Sequence, residues 1–133
     1  MLEKILLYVE NRESSQALAL WTLKIARKLN ARIYAVFVIN DSTLKPPVTN
    51  PKSKRHKTDQ EETAWATLYE IEDDAFEENV KISLIIEEGR PEDKLIEVLK
   101  SFELDGMIIS SQSKLDFKEL ISRMPSGKAL IIK

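Results

Sequence analysis

The first apolar run, "KILLYV" at residues 4–9, shows no alternation of apolar and polar positions, so a strand made from it must be covered on both faces. Four more short runs follow, "RIYAVFVI" at 32–39, "VKISLII" at 80–86, "GMIIS" at 106–110 and "KALIIK" at 128–133. Between the runs the apolar spacing changes to steps of three and four. Leu18, Trp21, Ile25 and Leu29 make one such stripe, Ala64, Leu68, Ile71 and Ala75 a second, and Leu95, Ile96, Leu99 and Phe102 a third, while "FKELISRM" reads as a short fourth helix. This alternation predicts an α/β fold, an open five-stranded parallel sheet with helices on both faces. The tight link between the first helix and the second strand implies a right-handed crossover.

Local signals place the boundaries. Ser14 is the expected N-cap of the first helix, which ends at Asn30. Thr58 and Glu61 have the spacing of a capping box at the start of the second helix, and Pro91 suits the first position of the third, where a missing amide proton costs little. Asn40 to Lys57 holds Pro46, Pro47 and Pro51 with Lys45, Lys52, Lys54, Arg55 and Lys57 and lacks periodicity, so it reads as a long basic loop. The outer face of the second helix is acidic, with Glu62, Glu70, Asp73, Asp74, Glu77 and Glu78. There is no internal repeat, and 133 residues suit a single domain spanning 1–133.

Composition narrows the chemistry. With a formal net charge of −2 and 32% charged residues, bulk electrostatics gives no case for nucleic acid. The absence of cysteine excludes disulfides, thiol nucleophiles and cysteine-held zinc or iron–sulfur clusters. His56 is the only histidine and sits between Arg55 and Lys57, so neither a histidine metal cluster nor an ordinary Ser-His-Asp triad can be assembled. No catalytic or metal-binding residue is assigned. The run at 5–9 is too short for a signal peptide or membrane span, and a soluble cytoplasmic protein without a membrane partner is expected. Trp21 and Trp65 are read as core residues.

Several of these segments, in this order, resemble the universal stress protein family across the whole chain. That family opens with a strand ending Val-Asp-Gly-Ser, and "LLYVENRESSQAL" sets Val9, Glu10, Asn11 and Arg12 at those places, keeping the charge and losing the glycine. Its second strand ends in an apolar pair that touches adenine, matched by Val38 and Ile39. "EEGRPEDKLIEVLK" puts Gly89 and Pro91 on the family's Gly-x-Pro, and "ELDGMIIS" and "GKALIIK" resemble its last two strands. The resemblance implies a Rossmann-like, adenine nucleotide alpha hydrolase-like sheet in the order 3-2-1-4-5. Such a sheet opens a crevice between strands one and four, where the chain reverses direction.

Nucleotide-binding members fill that crevice through Gly-x2-Gly-x9-Gly-Ser/Thr after strand four. Here the first two glycines fall on Ser110 and Ser113, and no glycine-serine pair follows. Glycine in such a loop lets the backbone approach phosphate without an intervening Cβ, so its loss predicts loss of tight ATP binding. The crevice candidates are Glu10, Val38, Gly89, Ser110, Ser111 and Ser113, with Ser113 read chiefly as a helix cap. By the same resemblance the last strand, Ala129, Leu130, Ile131 and Ile132, pairs with its twin in a homodimer. The expectation is a dimeric binding or regulatory module without a cofactor, open to a further protein partner. The alternative is an ATP- or AMP-binding stress protein with weak or slow ATPase activity. A bacterial receiver domain fits less well, because strand one lacks paired acids and strand three has no phosphoacceptor aspartate at its end.

Overall fold

In the first strand, Ile5, Leu7 and Val9 belong to one apolar cluster and Leu6 and Tyr8 to another, so both faces are covered as the unbroken run requires. This is seen in a computed structural model that describes the backbone of residues 2–40 and 51–133, and the side chains of all of these but 12 and 51–58. The elements are β1 (Lys4–Val9), α1 (Arg12–Leu29), β2 (Arg32–Ile39), α2 (Pro51–Glu77), β3 (Ile82–Glu88), α3 (Pro91–Ser101), β4 (Gly106–Ile109), α4 (Phe117–Arg123) and β5 (Ala129–Ile132). The strands form one sheet in the order β3-β2-β1-β4-β5, and each neighbouring pair is parallel.

Leu23 and Ala26 of α1 join Leu68 and Ile71 of α2 over one face of the sheet. Leu95 and Leu99 of α3 join Leu120 of α4 over the other. Each fully buried Leu or Ile contributes roughly 1.5–3 kcal/mol of transfer free energy. The chain changes faces after β3, so the connections from β1 and β4 leave the sheet in opposite directions and a crevice forms beyond their carboxyl ends.

The expected boundaries hold for β1, β2, the end of α1 at Asn30 and the start of α3 at Pro91, and move elsewhere. Asn11, not Ser14, caps α1: its Oδ1 accepts the Ser14 amide at 2.9 Å. Asn30 ends α1 in the left-handed conformation, φ 54°. Helix α2 begins at Pro51, so residues 51–57 are helical rather than loop, and Thr58 and Glu61 lie inside the helix. Proline can open a helix because its missing amide proton would have no intrahelical partner there. The loop reading of 41–50 lies outside the described residues. β3 runs two residues later than the apolar run suggests. Trp21 packs partly against the core, but Trp65 is not a core residue: it stands on the flank of α2, stacked on Tyr69.

Candidate functional site

The register sets Val9 opposite Phe37 on β2 and Leu7 opposite Ile108 on β4, so Glu10 leaves the sheet between Val38 and the turn that follows β4. The Glu10 amide donates to the buried Ser15 Oγ at 3.1 Å, which closes the β1–α1 turn and fixes where the Glu10 side chain starts. On either side of this point the crevice has a different character.

On the β2 side lies a cavity of about 630 Å³, bordered among the described residues by Glu10, Phe37, Val38, Ile39, Asp59 and Thr63, with Asn40 and Gln60. β2 supplies an apolar floor, and the carboxylates of Glu10 and Asp59 stand at its border. Gly89 does not border this cavity but braces it from β3, its amide donating to the Ile39 carbonyl at 2.9 Å. Gly89 has φ 140°, and a Cβ built there would lie 2.8 Å from Lys94 Cε, so glycine is needed for the backbone path.

On the β4 side several backbone amides already have partners. Ser110 Oγ accepts the Gln112 amide at 3.1 Å, the Ser113 amide donates to the Ser110 carbonyl at 3.1 Å, and Ser113 Oγ accepts the Leu115 amide at 3.2 Å. Ser113 therefore closes a local turn and does not cap α4. Asp116 is the cap, its Oδ1 accepting the Glu119 amide at 3.1 Å. The buried Glu92, reaching over from α3, accepts the Asp116 amide at 3.0 Å. Ser111 Oγ donates to the Lys133 carbonyl at 3.3 Å. Ser110 and Ser111 border a separate cavity of about 330 Å³ on the α1 side, together with Ser14, Trp21 and Lys133. Of the sequence candidates, the structure thus brings Glu10 and Val38 to one cavity and Ser110 and Ser111 to another.

Near β1 the charges of Glu10 and Glu92 act on Tyr8, and further out the carboxylates are paired with arginines. Burial raises the pKa of the Tyr8 phenol, and the charges of Glu10 and Glu92 raise it further. Farther out, Arg90 forks onto both Glu119 oxygens, at 2.5 and 2.6 Å, while Arg123 reaches Asp93 at 2.6 Å and Glu119 at 3.1 Å. The hydrogen bond from Arg90, then that from Arg123, holds the Glu119 carboxyl down at about 2. Both arginines are spent on clamping α3 to α4. Among the described residues no group of three or more His, Cys, Asp or Glu is arranged to hold a metal. Sequence reasoning missed this clamp and the part played by Glu92 and Asp116. One signal was available, since Asp116 and Glu119 have capping-box spacing directly before an apolar helix.

The sequence profile of the Universal stress protein family matches residues 1–127. This chain belongs to that family. Among solved structures, hypothetical protein MJ0577 matches with a TM-score of 0.80 at 20% identity, covering 99% of this chain and 95% of that one. Universal stress protein UspA from Lactobacillus plantarum matches with a TM-score of 0.79 at 18% identity, covering 98% and 97%. A universal stress protein family protein from Arabidopsis thaliana, solved with AMP bound, matches with a TM-score of 0.70 at 16% identity, covering 98% and 92%. These likenesses bear on the fold, and they agree with the universal stress protein topology seen here. No curated protein matches the chain in sequence. Among the described residues no helix is long and apolar enough to cross a membrane.

Proposed function

We propose that this universal stress protein is a dimeric binding or regulatory module whose crevice has lost the tight grip on ATP. The observation that carries the proposal is the occupation of the turn after β4 by the chain's own groups. A triphosphate needs free amide donors, and the amides of Gln112, Ser113, Leu115, Asp116 and Glu119 are already engaged. It would also meet the carboxylates of Glu92 and Asp116, where like unit charges 4 Å apart repel by about 4 kcal/mol at an effective dielectric of 20. The clamped arginines offer little compensation. In this reading the module needs no cofactor and acts through another protein.

Dimerisation is proposed through Ala129, Leu130, Ile131 and Ile132. β5 is an edge of the sheet, with Ile132 43% exposed, and an edge strand carries a row of unpaired backbone groups suited to pairing with its twin.

A second reading is supported by the other half of the crevice. A cavity of about 630 Å³ falls within the usual size of small-molecule sites, and Val38 and Ile39 form its floor. The Arabidopsis relative was solved with AMP bound. In this reading the base-binding end is kept, and ATP or AMP binds weakly with slow hydrolysis.

Calorimetric titration with Mg-ATP and with AMP, preceded by mass spectrometry for copurified nucleotide, separates the two. The leading reading expects no Mg-ATP binding at millimolar nucleotide; micromolar binding overturns it in favour of the second. A monodisperse monomer at high micromolar protein in sizing experiments overturns the dimer.

A further inference from the structure

Helix α2 carries a surface that the crevice does not explain. Trp65, Tyr69 and Phe76 are 38%, 53% and 87% exposed, and the Trp65 and Tyr69 rings stack with centroids 5.6 Å apart. Spacings of four and seven residues set all three on one line of the helix, beside the stripe of Ala64, Leu68, Ile71 and Ala75 that packs on the sheet.

Charge is segregated along the same helix. From Pro51 to Thr58 the sequence holds Lys52, Lys54, Arg55 and Lys57 and no carboxylate, whereas from Asp59 to Glu78 every charged residue is Asp or Glu. That order runs against the helix dipole, which favours acids in the first turn and bases in the last, and α2 has neither. In an isolated α2 this order is unfavourable at both ends, and in the fold Arg27 of α1 meets the acidic end at Glu78, 3.5 Å away, as an exposed pair worth little. A second helix laid antiparallel relieves both at once, because the acidic end of each comes beside the basic end of the other.

We propose that α2 pairs antiparallel with α2 of a second copy, about a two-fold axis beside Trp65. With the axis there, Lys57 of one helix comes level with Asp73 of the other and Lys54 with Phe76, while Trp65 and Tyr69 fill the centre. The occupant is a second copy because the complement of this acidic, aromatic face is a basic helical segment of matching length, and the same helix carries one. The interface is isologous and closes on itself. α2 packs on β2 and β3, at the far end of the sheet from β5, so this contact goes beyond the β5 pairing and does not depend on it.

The chain has no cysteine, so introduced cysteines report without background. Under mild oxidation, W65C should link to itself and run largely as a disulfide dimer. E72C alone should stay unlinked, whereas the double variant T58C/E72C should link, because antiparallel pairing brings 58 level with 72. I132C reads the β5 contact separately. Y69K/F76K should weaken self-association measured by sedimentation about tenfold or more, as expected for loss of two aromatic anchors, Tyr69 near the axis and Phe76 further along. Failure of both W65C and T58C/E72C to link in protein folded by circular dichroism overturns the proposal, as does E72C linking to itself. Unchanged sedimentation of Y69K/F76K also overturns it. Binding of a basic helical peptide by chains that do not cross-link assigns the face to a foreign partner and likewise overturns it.

Discussion

The two halves of the crevice are built from the same parts, strand ends that run into helices, yet one is open and the other is filled. Beside β2 the chain leaves a wide cavity over Phe37, Val38 and Ile39. Beyond β4 a run of serines, Asp116 and Glu92 consumes the amides that a phosphate would need. On the proposed reading, this contrast is how an anion site closes while the fold is kept. Backbone amides seldom stay unpaired in a partly buried turn, so once glycine gives way to serine the hydroxyl becomes a local acceptor. A carboxylate from the next helix then completes the set.

The largest expected effect breaks the filled half. Leu120 is the buried residue of α4 and fully enclosed. L120A should cost about 2–5 kcal/mol in urea unfolding, the usual range for a large-to-small change in a core. Hydrogen exchange at the Asp116 and Glu119 amides should accelerate with it, while amides of β2 beside the open cavity change less. Equal acceleration in both halves would mean that they are not separable units.

Next comes the open half. G89A forces an L side chain to φ 140° at the brace under Ile39, and should cost about 1–3 kcal/mol in thermal unfolding. Lys94 is flexible at the point of contact, so the backbone conformation, not the clash, sets the size. A neutral result would show that the brace is not needed. Back in the filled half, D116A removes the α4 cap and should cost about 1 kcal/mol, with the Glu119 amide the first to lose protection.

How far these features could be read in advance depended on whether they were local. β1 and β2 are bounded by polar residues at both ends and by apolar runs that cannot be exposed, so their limits follow from the residues alone. The start of α2 did not, because the sequence there carries no apolar stripe, and Pro51 can open a helix as readily as break one. Trp65 sits one position from Ala64 in the packed stripe, about 100° round the helix, which turns it out of the core. Ser113 reads as the cap because serine so commonly fills that position, a reading that passes over Asp116. Glu92 could not be foreseen at all: its burial and its hold on the Asp116 amide come from the packing of α3 on α4, which no spacing records.

Acid should touch the filled half through the α3–α4 clamp. Glu119 titrates at about 2 in the folded chain against an ordinary value of 4.5, and Asp93 is also lowered, chiefly by its hydrogen bond from Arg123. A depressed folded-state pKa means that the stabilisation is fully present above about pH 4.5 and is lost as pH falls toward 2. The E119Q variant should therefore show a shallower fall in melting temperature over that window than the parent. The pairs are solvent-exposed, so the difference should be small and shrink with added salt. Parallel acid limbs for the two proteins would remove Glu119 from the clamp.

The smallest expected effect decides what closed the turn. If missing glycine were the whole cause, S110G/S113G would restore much of the ATP affinity by removing two Cβ atoms and two competing hydroxyls. The hydrogen bonds argue otherwise, because Glu92 would still hold the Asp116 amide and Asp116 the Glu119 amide. S110G/S113G should therefore still show no Mg-ATP binding at millimolar nucleotide, since each change removes no more than a weak neutral hydrogen bond. Adding E92Q to that pair removes a carboxylate charge beside the turn and should make weak Mg-ATP binding at millimolar nucleotide detectable by calorimetry. If the two serine changes alone recover the affinity, the carboxylates are bystanders and the contrast between the two halves of the crevice reduces to glycine content. If only the triple variant recovers it, the site was closed by what grew into it rather than by what it lost.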